Sequence, residues 1–177
     1  MHPPAKKGAV IRPDYHSGVT SYQTRSAPMW DRDAKVFRYW LHGAPSDIGN
    51  VGPLGTCSYV ESKDGLFWTR PNLGQVEYRG SRDNNYPRGS AVYAVYDPKD
   101  PDPTRRFKSF NRKGAAGFHL LQPLASDGIT WREVGKPFKI LVGDEDNFNF
   151  DPVEHLFIVT LRHNGGPYGR AGDLAPS

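Results

Sequence analysis

The chain has 177 residues, 37% of them hydrophobic and 24% charged, and its 23 Lys and Arg against 19 Asp and Glu leave a formal net charge of +4. That length suits one domain with its own core, and 16 Pro and 19 Gly beside 4 Trp, 9 Tyr and 9 Phe exclude a disordered chain in favour of short strands joined by many turns. Cys57 is the single cysteine, which excludes an internal disulfide and a cysteine-based zinc site.

From Met1 to Gly18 the sequence carries Lys6 and Lys7 but no apolar run of secretory length, and no later stretch approaches a membrane span; no membrane partner is expected, and the compartment stays open because a fragment can have lost its leader. Helical spacing of apolar residues is absent throughout. Strand signals come instead, in order, at Val36–Leu41, Cys57–Val60, Ala91–Tyr96, Phe118–Leu121 and Leu156–Leu161. Each is a β-branched or aromatic run bounded by Gly, Pro, Asp or Asn. The basic stretch Arg105, Arg106, Lys108, Arg112 and Lys113 alternates around Phe107 and Phe110 and reads as the solvated face of a strand, so no nucleic-acid partner is expected.

Repeats decide which all-β fold this is. Ser62-Lys63-Asp64-Gly65-Leu66-Phe67-Trp68 returns as Ala125-Ser126-Asp127-Gly128-Ile129-Thr130-Trp131, with the two tryptophans 63 positions apart. Upstream of each lies an Asp-rich turn and an aromatic strand, Asp31 to Tyr39 and Asp97 to Phe110, and a third copy runs from Asp151 to Val159. The same spacing places a third Trp turn near about residue 190, past Ser177. Units of about sixty residues with four strands each suit propeller blades, which close in rings of about four to eight. The expected fold is therefore all-β, a partial β-propeller of about three four-stranded antiparallel blades over 20–75, 84–138 and 145–177, the last cut short.

The blade rhythm resembles the five-bladed propellers of glycoside hydrolase families 32 and 43. It does so at Arg25-Ser26-Ala27-Pro28-Met29-Trp30-Asp31, at Pro71-Asn72-Leu73-Gly74 with Asp83-Asn84-Asn85, and at Asp97-Pro98 with Asp102 to Lys108. The resemblance runs over about residues 8 to 172. The Asp-Gly turn is also similar to the Asp-box of sialidases, offset by one residue because Gly65 and Gly128 follow the Asp directly. Its implied activity is hydrolysis of glycosidic bonds by paired carboxylates, one protonating the leaving oxygen and one attacking or activating water.

With the segment before each Asp turn taken as the innermost strand, the expected pocket-facing residues are Arg25 from the first blade, Asp83, Asn84 and Asn85 from the second, and Asp144, Asp146 and Asn147 from the third. Asp31 and Asp146 are the expected catalytic carboxylates, the others binding sugar hydroxyls. The resemblance implies an Asp-Pro pair on the first inner strand where this sequence has Ala27-Pro28. Either Asp31 or Asp33 takes that role, or the first carboxylate is absent and the chain binds sugar without cleaving it, with Trp30, Trp40 and tyrosines stacking on the rings.

The run from Asp144 to Asp151 fails the calcium-loop spacing, with Asn149 at the sixth place and His155 at the twelfth. The histidines fall in no metal-pair spacing. No metal and no cofactor is expected. The expected partner is a carbohydrate; the third reading is an interaction scaffold assembled from two or more copies that cover one another's exposed blades, its basic surface meeting an acidic polymer.

Overall fold

The computed structural model describes residue 5 and residues 8–43, 57–89, 91–113, 119–140, 146–163 and 171–176. Three antiparallel sheets follow one another along the chain. The first is β1 (Met29–Asp31), β2 (Val36–His42), β3 (Cys57–Ser62) and β4 (Trp68–Thr69), paired in that order. The second is β5 (Val95–Tyr96), β6 (Phe107–Lys113), β7 (His119–Ser126) and β8 (Trp131–Glu133), with β9 (Phe138–Ile140) also on β7. The third is β10 (Asp146–Asp151), β11 (Leu156–His163) and β12 (Ala171–Pro176).

The fold is thus all-β, as the sequence predicts, and the sheets are built as up-and-down units of a partial propeller. β8 pairs with the end of β7 and β9 with its beginning, so the two act as one outer strand interrupted at 134–137. β5 stands beside both β1 and β10, which lines up the first strand of each sheet as the innermost one.

Register makes the repeat explicit. Trp30 lies opposite Phe37, Tyr96 opposite Phe107 and Phe150 opposite Phe157, with ring centroids 4.9, 4.7 and 4.9 Å apart. Each first aromatic is followed by an Asp whose Oδ1 accepts from the backbone N–H two residues on, at Asp33, Lys99 and Val153. The hairpins of the first and third sheets turn identically: Lys35 and His155, each four residues after its Asp, take φ +54° and +57°. Such left-handed backbone in a residue other than Gly is uncommon, and the Asx turn imposes it twice.

The Asp-Gly repeats are also the same turn. Asp64 Oδ1 accepts from Leu66 and Phe67 N–H at 2.8 and 2.9 Å, and Asp127 Oδ1 from Ile129 and Thr130 N–H at 2.9 and 2.8 Å. Ser62 then pairs with Trp68 and Ser126 with Trp131.

One core spans all three sheets. Alternation sends Trp40 and Tyr59 from the first sheet toward Phe107 and Trp131 of the second, with Trp40 5.5 Å from each of these three rings. Phe110 of the second sheet meets Phe148 of the third at 5.4 Å, and Val159 and Leu161 close the cluster. The opposite face of the first sheet, Tyr39, Leu41 and Val60, is covered by Ile11 and Tyr22 from the segment preceding β1 and by Trp68.

One expected strand is corrected. Ala91–Tyr96 is extended only at Val95–Tyr96; Ala94 N–H bonds back to Ala91 O at 3.0 Å, closing a turn. Its apolar character comes from burial, with Ala91 inaccessible and Tyr93 stacked on Phe110 at 4.5 Å. Phe118 of another expected strand lies outside the described residues.

Candidate functional site

The innermost strands β1, β5 and β10 border an open groove of about 420 Å³. Its walls include Ala27, Trp30, Arg32, Tyr96, Asn149 and Phe150. Trp30 is 40% exposed there, because its equivalents Tyr96 and Phe150 stand between two sheets whereas no described sheet precedes Trp30. Burial, with the charges of Asp31 and Asp33 nearby, pushes the Tyr96 hydroxyl above its ordinary pKa, while the backbone N–H of Arg32 pulls the other way. Tyr96 is therefore a neutral hydroxyl that ties the second sheet to the first hairpin.

The carboxylates that end the inner strands are occupied structurally. Asp31 is 5% exposed. Its Oδ1 accepts from the Asp33 and Ala34 amides at 3.0 and 3.1 Å, and its Oδ2 from Arg38 Nε at 2.7 Å. Arg38 continues the network: Nη1 donates to Tyr59 Oη at 2.8 Å, which donates to Glu61 Oε2 at 2.9 Å. Burial opposes the Arg38 charge, but Tyr59 and Asp31 outweigh it and the guanidinium is held more firmly protonated. Asp97 lies 3.2 Å from His155 Nε2 and 4.0 Å from Lys108 Nζ. Asp33 pairs with Arg106 across the first two sheets.

The two expected catalytic residues occupy different register positions on their inner strands. Asp31 is equivalent to Asp151, each lying opposite the first residue of the following strand, Val36 or Leu156. Asp146 is the first residue of β10. Asp146 thus stands at the opposite end of its inner strand from Asp151, the counterpart of Asp31. Asp146 itself is inaccessible to solvent, on the β10 face that carries Phe148 and Phe150 toward the second sheet.

Arg25 and Asn147 lie near the N-terminal ends of β1 and β10. Arg25 Nη2 donates to Gln23 Oε1 at 3.2 Å, and Asn147 is exposed. The structure does not bring Asp83, Asn84 and Asn85 to the second inner strand, which starts at Val95. They belong to the connection laid along β3: Asn85 Nδ2 donates to Tyr59 O at 2.7 Å, Tyr59 N–H returns a bond to Asn85 O at 2.9 Å, and Asn84 Nδ2 donates to Val76 O at 2.8 Å. Asp83 is exposed beside the Tyr78–Ser81 bridge. These residues act as peptide mimics where β3 lacks a partner strand. Asp144 lies outside the described residues.

Trp40 is fully buried and unavailable to a ligand; alternation along β2 places it on the face toward the second sheet, which composition cannot distinguish from the other face. Tyr96, Asn149 and Phe150 were not legible as groove residues. The signal for them is the aromatic-Asp dipeptide at Trp30-Asp31, Tyr96-Asp97 and Phe150-Asp151. Among the described residues no cluster of His, Cys, Asp and Glu is arranged to hold a metal ion, and no helix is long and apolar enough to cross a membrane.

No family model matches the chain, and no solved structure does. Two curated proteins are similar to it. An uncharacterized protein of Mycobacterium tuberculosis strain H37Rv, Rv1502, is 29% identical over 120 residues, covering 64% of this chain and 37% of that protein. An uncharacterized protein of strain CDC 1551, MT1551, is 26% identical over 126 residues, with the same 64% and 37% coverage. The chain therefore spans little more than a third of the length of the curated relatives it matches.

Proposed function

We propose that this chain is the sugar-recognising part of a carbohydrate-active propeller, with its ligand lying in the groove along β1, β5 and β10. The observation that carries this reading is the pairing in one open groove of the exposed Trp30 ring with the amide of Asn149. A flat indole takes the apolar face of a pyranose or furanose while an amide donates to and accepts from its hydroxyls. Asn147, exposed two residues before Asn149 on the same face of β10, extends the polar side. The resemblance to glycoside hydrolase propellers points the same way.

The test is a titration with neutral fructo-, arabino- and xylo-oligosaccharides followed by Trp fluorescence. Trp40 and Trp131 are buried, and the half-buried Trp68 packs against Tyr39 away from the groove, so an oligosaccharide in the groove changes the Trp30 signal first. Trp30→Ala is expected to abolish the response and Asn149→Ala to weaken it. No response to any of the three series refutes the assignment. Hydrolysis is the second reading, supported by the buried Asp146 on an inner strand. It calls for a second carboxylate beside Asp146, and Asp146→Asn in an aryl-glycoside assay is its check.

A further inference from the structure

The three inner strands end alike, and the groove they border repeats with them. Each carries an aromatic, an Asp and one further residue, at Trp30-Asp31-Arg32, Tyr96-Asp97-Pro98 and Phe150-Asp151-Pro152. Arg32, Pro98 and Pro152 all line the groove, so the residue after the turn Asp faces it in every sheet. The residue before the aromatic faces it too, as Met29, Val95 and Asn149. Apolar side chains fill these repeated places except at two, Asn149, whose amide serves sugar hydroxyls, and Arg32.

The turn does not account for the guanidinium. Proline suits the residue after the Asp because its fixed φ fits the first turned position. The first sheet departs from proline for a visible reason: the Arg32 backbone N–H bonds the Tyr96 hydroxyl, and proline has no N–H to give. Any other residue supplies that bond. The Arg32 side chain is exposed, and the neighbouring carboxylates are engaged elsewhere, Asp31 by Arg38 and its turn amides and Asp33 by Arg106. Arg32 is the one charged side chain among the described residues that line the groove. Its charge stands uncompensated two residues from Trp30, in a cleft of aromatic, apolar and amide surface.

We infer that the sugar held in this groove carries a carboxylate, as a uronic acid does, and that Arg32 binds it. The inference rests on the reading of the groove as a sugar site and names its ligand class. A planar guanidinium donates two parallel N–H bonds to a carboxylate, while Trp30 takes the ring face and Asn149 the hydroxyls. One cation matches one carboxylate; a phosphate monoester brings a charge of about −1.5 to −2 at neutral pH and leaves part of it unmatched. Lys99 is tied back by its Nζ, which donates to Pro152 O at 3.0 Å, and it is not among the described residues that line the groove.

The experiment is a Trp fluorescence titration of the 177-residue chain with three ligands of one backbone. They are a neutral xylo-oligosaccharide, the same oligosaccharide with one glucuronic acid branch, and the methyl ester of that acid, which keeps the branch and removes its charge. At low salt the acid is expected to bind roughly tenfold more tightly than its ester, as a hydrogen bond to a charged group contributes, and the advantage shrinks as salt rises. Arg32→Gln, which keeps the N–H for Tyr96, is expected to bring the acid to the affinity of the ester. Lys99→Gln makes the same charge change outside the groove and is expected to leave the acid preference in place. Equal affinity for acid and ester overturns the inference, as does a preference that survives Arg32→Gln or that Lys99→Gln removes equally. In those cases the neutral oligosaccharide still changes the Trp30 signal and the sugar site stands. Silence toward all three ligands removes the sugar site and this inference with it.

Discussion

Gly65 and Gly128 occupy the same place in the two Asp-Gly turns, and replacing each by alanine separates turn strain from contact between sheets. Gly65 has φ +75°, and a Cβ there meets nothing nearer than the Phe37 ring at 3.8 Å. Only the left-handed backbone penalty applies, about 1–2 kcal/mol. Gly128 has φ +102°, and its Cβ falls 2.9 Å from Arg38 Nε and 3.0 Å from Phe107 Cε2. The added carbon pushes on the guanidinium that neutralises the buried Asp31. Severing such a pair costs about 3–5 kcal/mol, and a partial displacement about half of that. Gly128→Ala is therefore expected to lose about 3–4 kcal/mol, roughly 2 more than Gly65→Ala. Urea unfolding followed by Trp fluorescence measures both, with an unchanged m-value certifying that stability alone has moved. Equal losses in the two variants would refute the claim that the second turn is a wedge between sheets.

Asp31→Ala removes the acceptor for two turn amides and strands Arg38, so its expected cost is about 3–5 kcal/mol; Asp31→Asn, which still accepts from the amides, is expected to lose less in the same urea assay. The amides of Phe67 and Leu66 hold the Asp64 carboxyl below the ordinary range, and at Asp127 burial opposes but the Thr130 and Ile129 amides win. A carboxyl depressed in the folded state contributes stability above its unfolded pKa of about 4 and loses it as pH falls through the folded value. Acid titration of stability is thus expected to steepen below about pH 4, and less so in Asp127→Asn. Burial pushes the Cys57 thiol up to about 12. Its reaction with a thiol reagent at pH 8 is expected to track unfolding, rising with urea; fast labelling without denaturant would contradict the buried site.

The sequence by itself determined what is local. The Asp turns at residues 31, 97 and 151, the Asp-Gly turns at 64 and 127, and the 63-residue return of Trp68 at Trp131 are set by hydrogen bonds within a few residues. The all-β class and the sheet repeat follow from them. Which face of a strand meets which sheet was not so determined: Phe37 and Trp40 are both aromatic, yet one lies at an open edge and the other at the centre of the core. Nor did Asn84 and Asn85 differ in the sequence from ligand-binding amides, although the tertiary structure uses them to complete the edge of β3. The four-residue lengthening between Asp97 and Phe107 likewise leaves Arg106 to pair with Asp33 of the first sheet, a contact that no local pattern sets. Turns are decided by neighbours along the chain, whereas the contacts between sheets and the groove are decided by strand register, which closes only when distant segments pack.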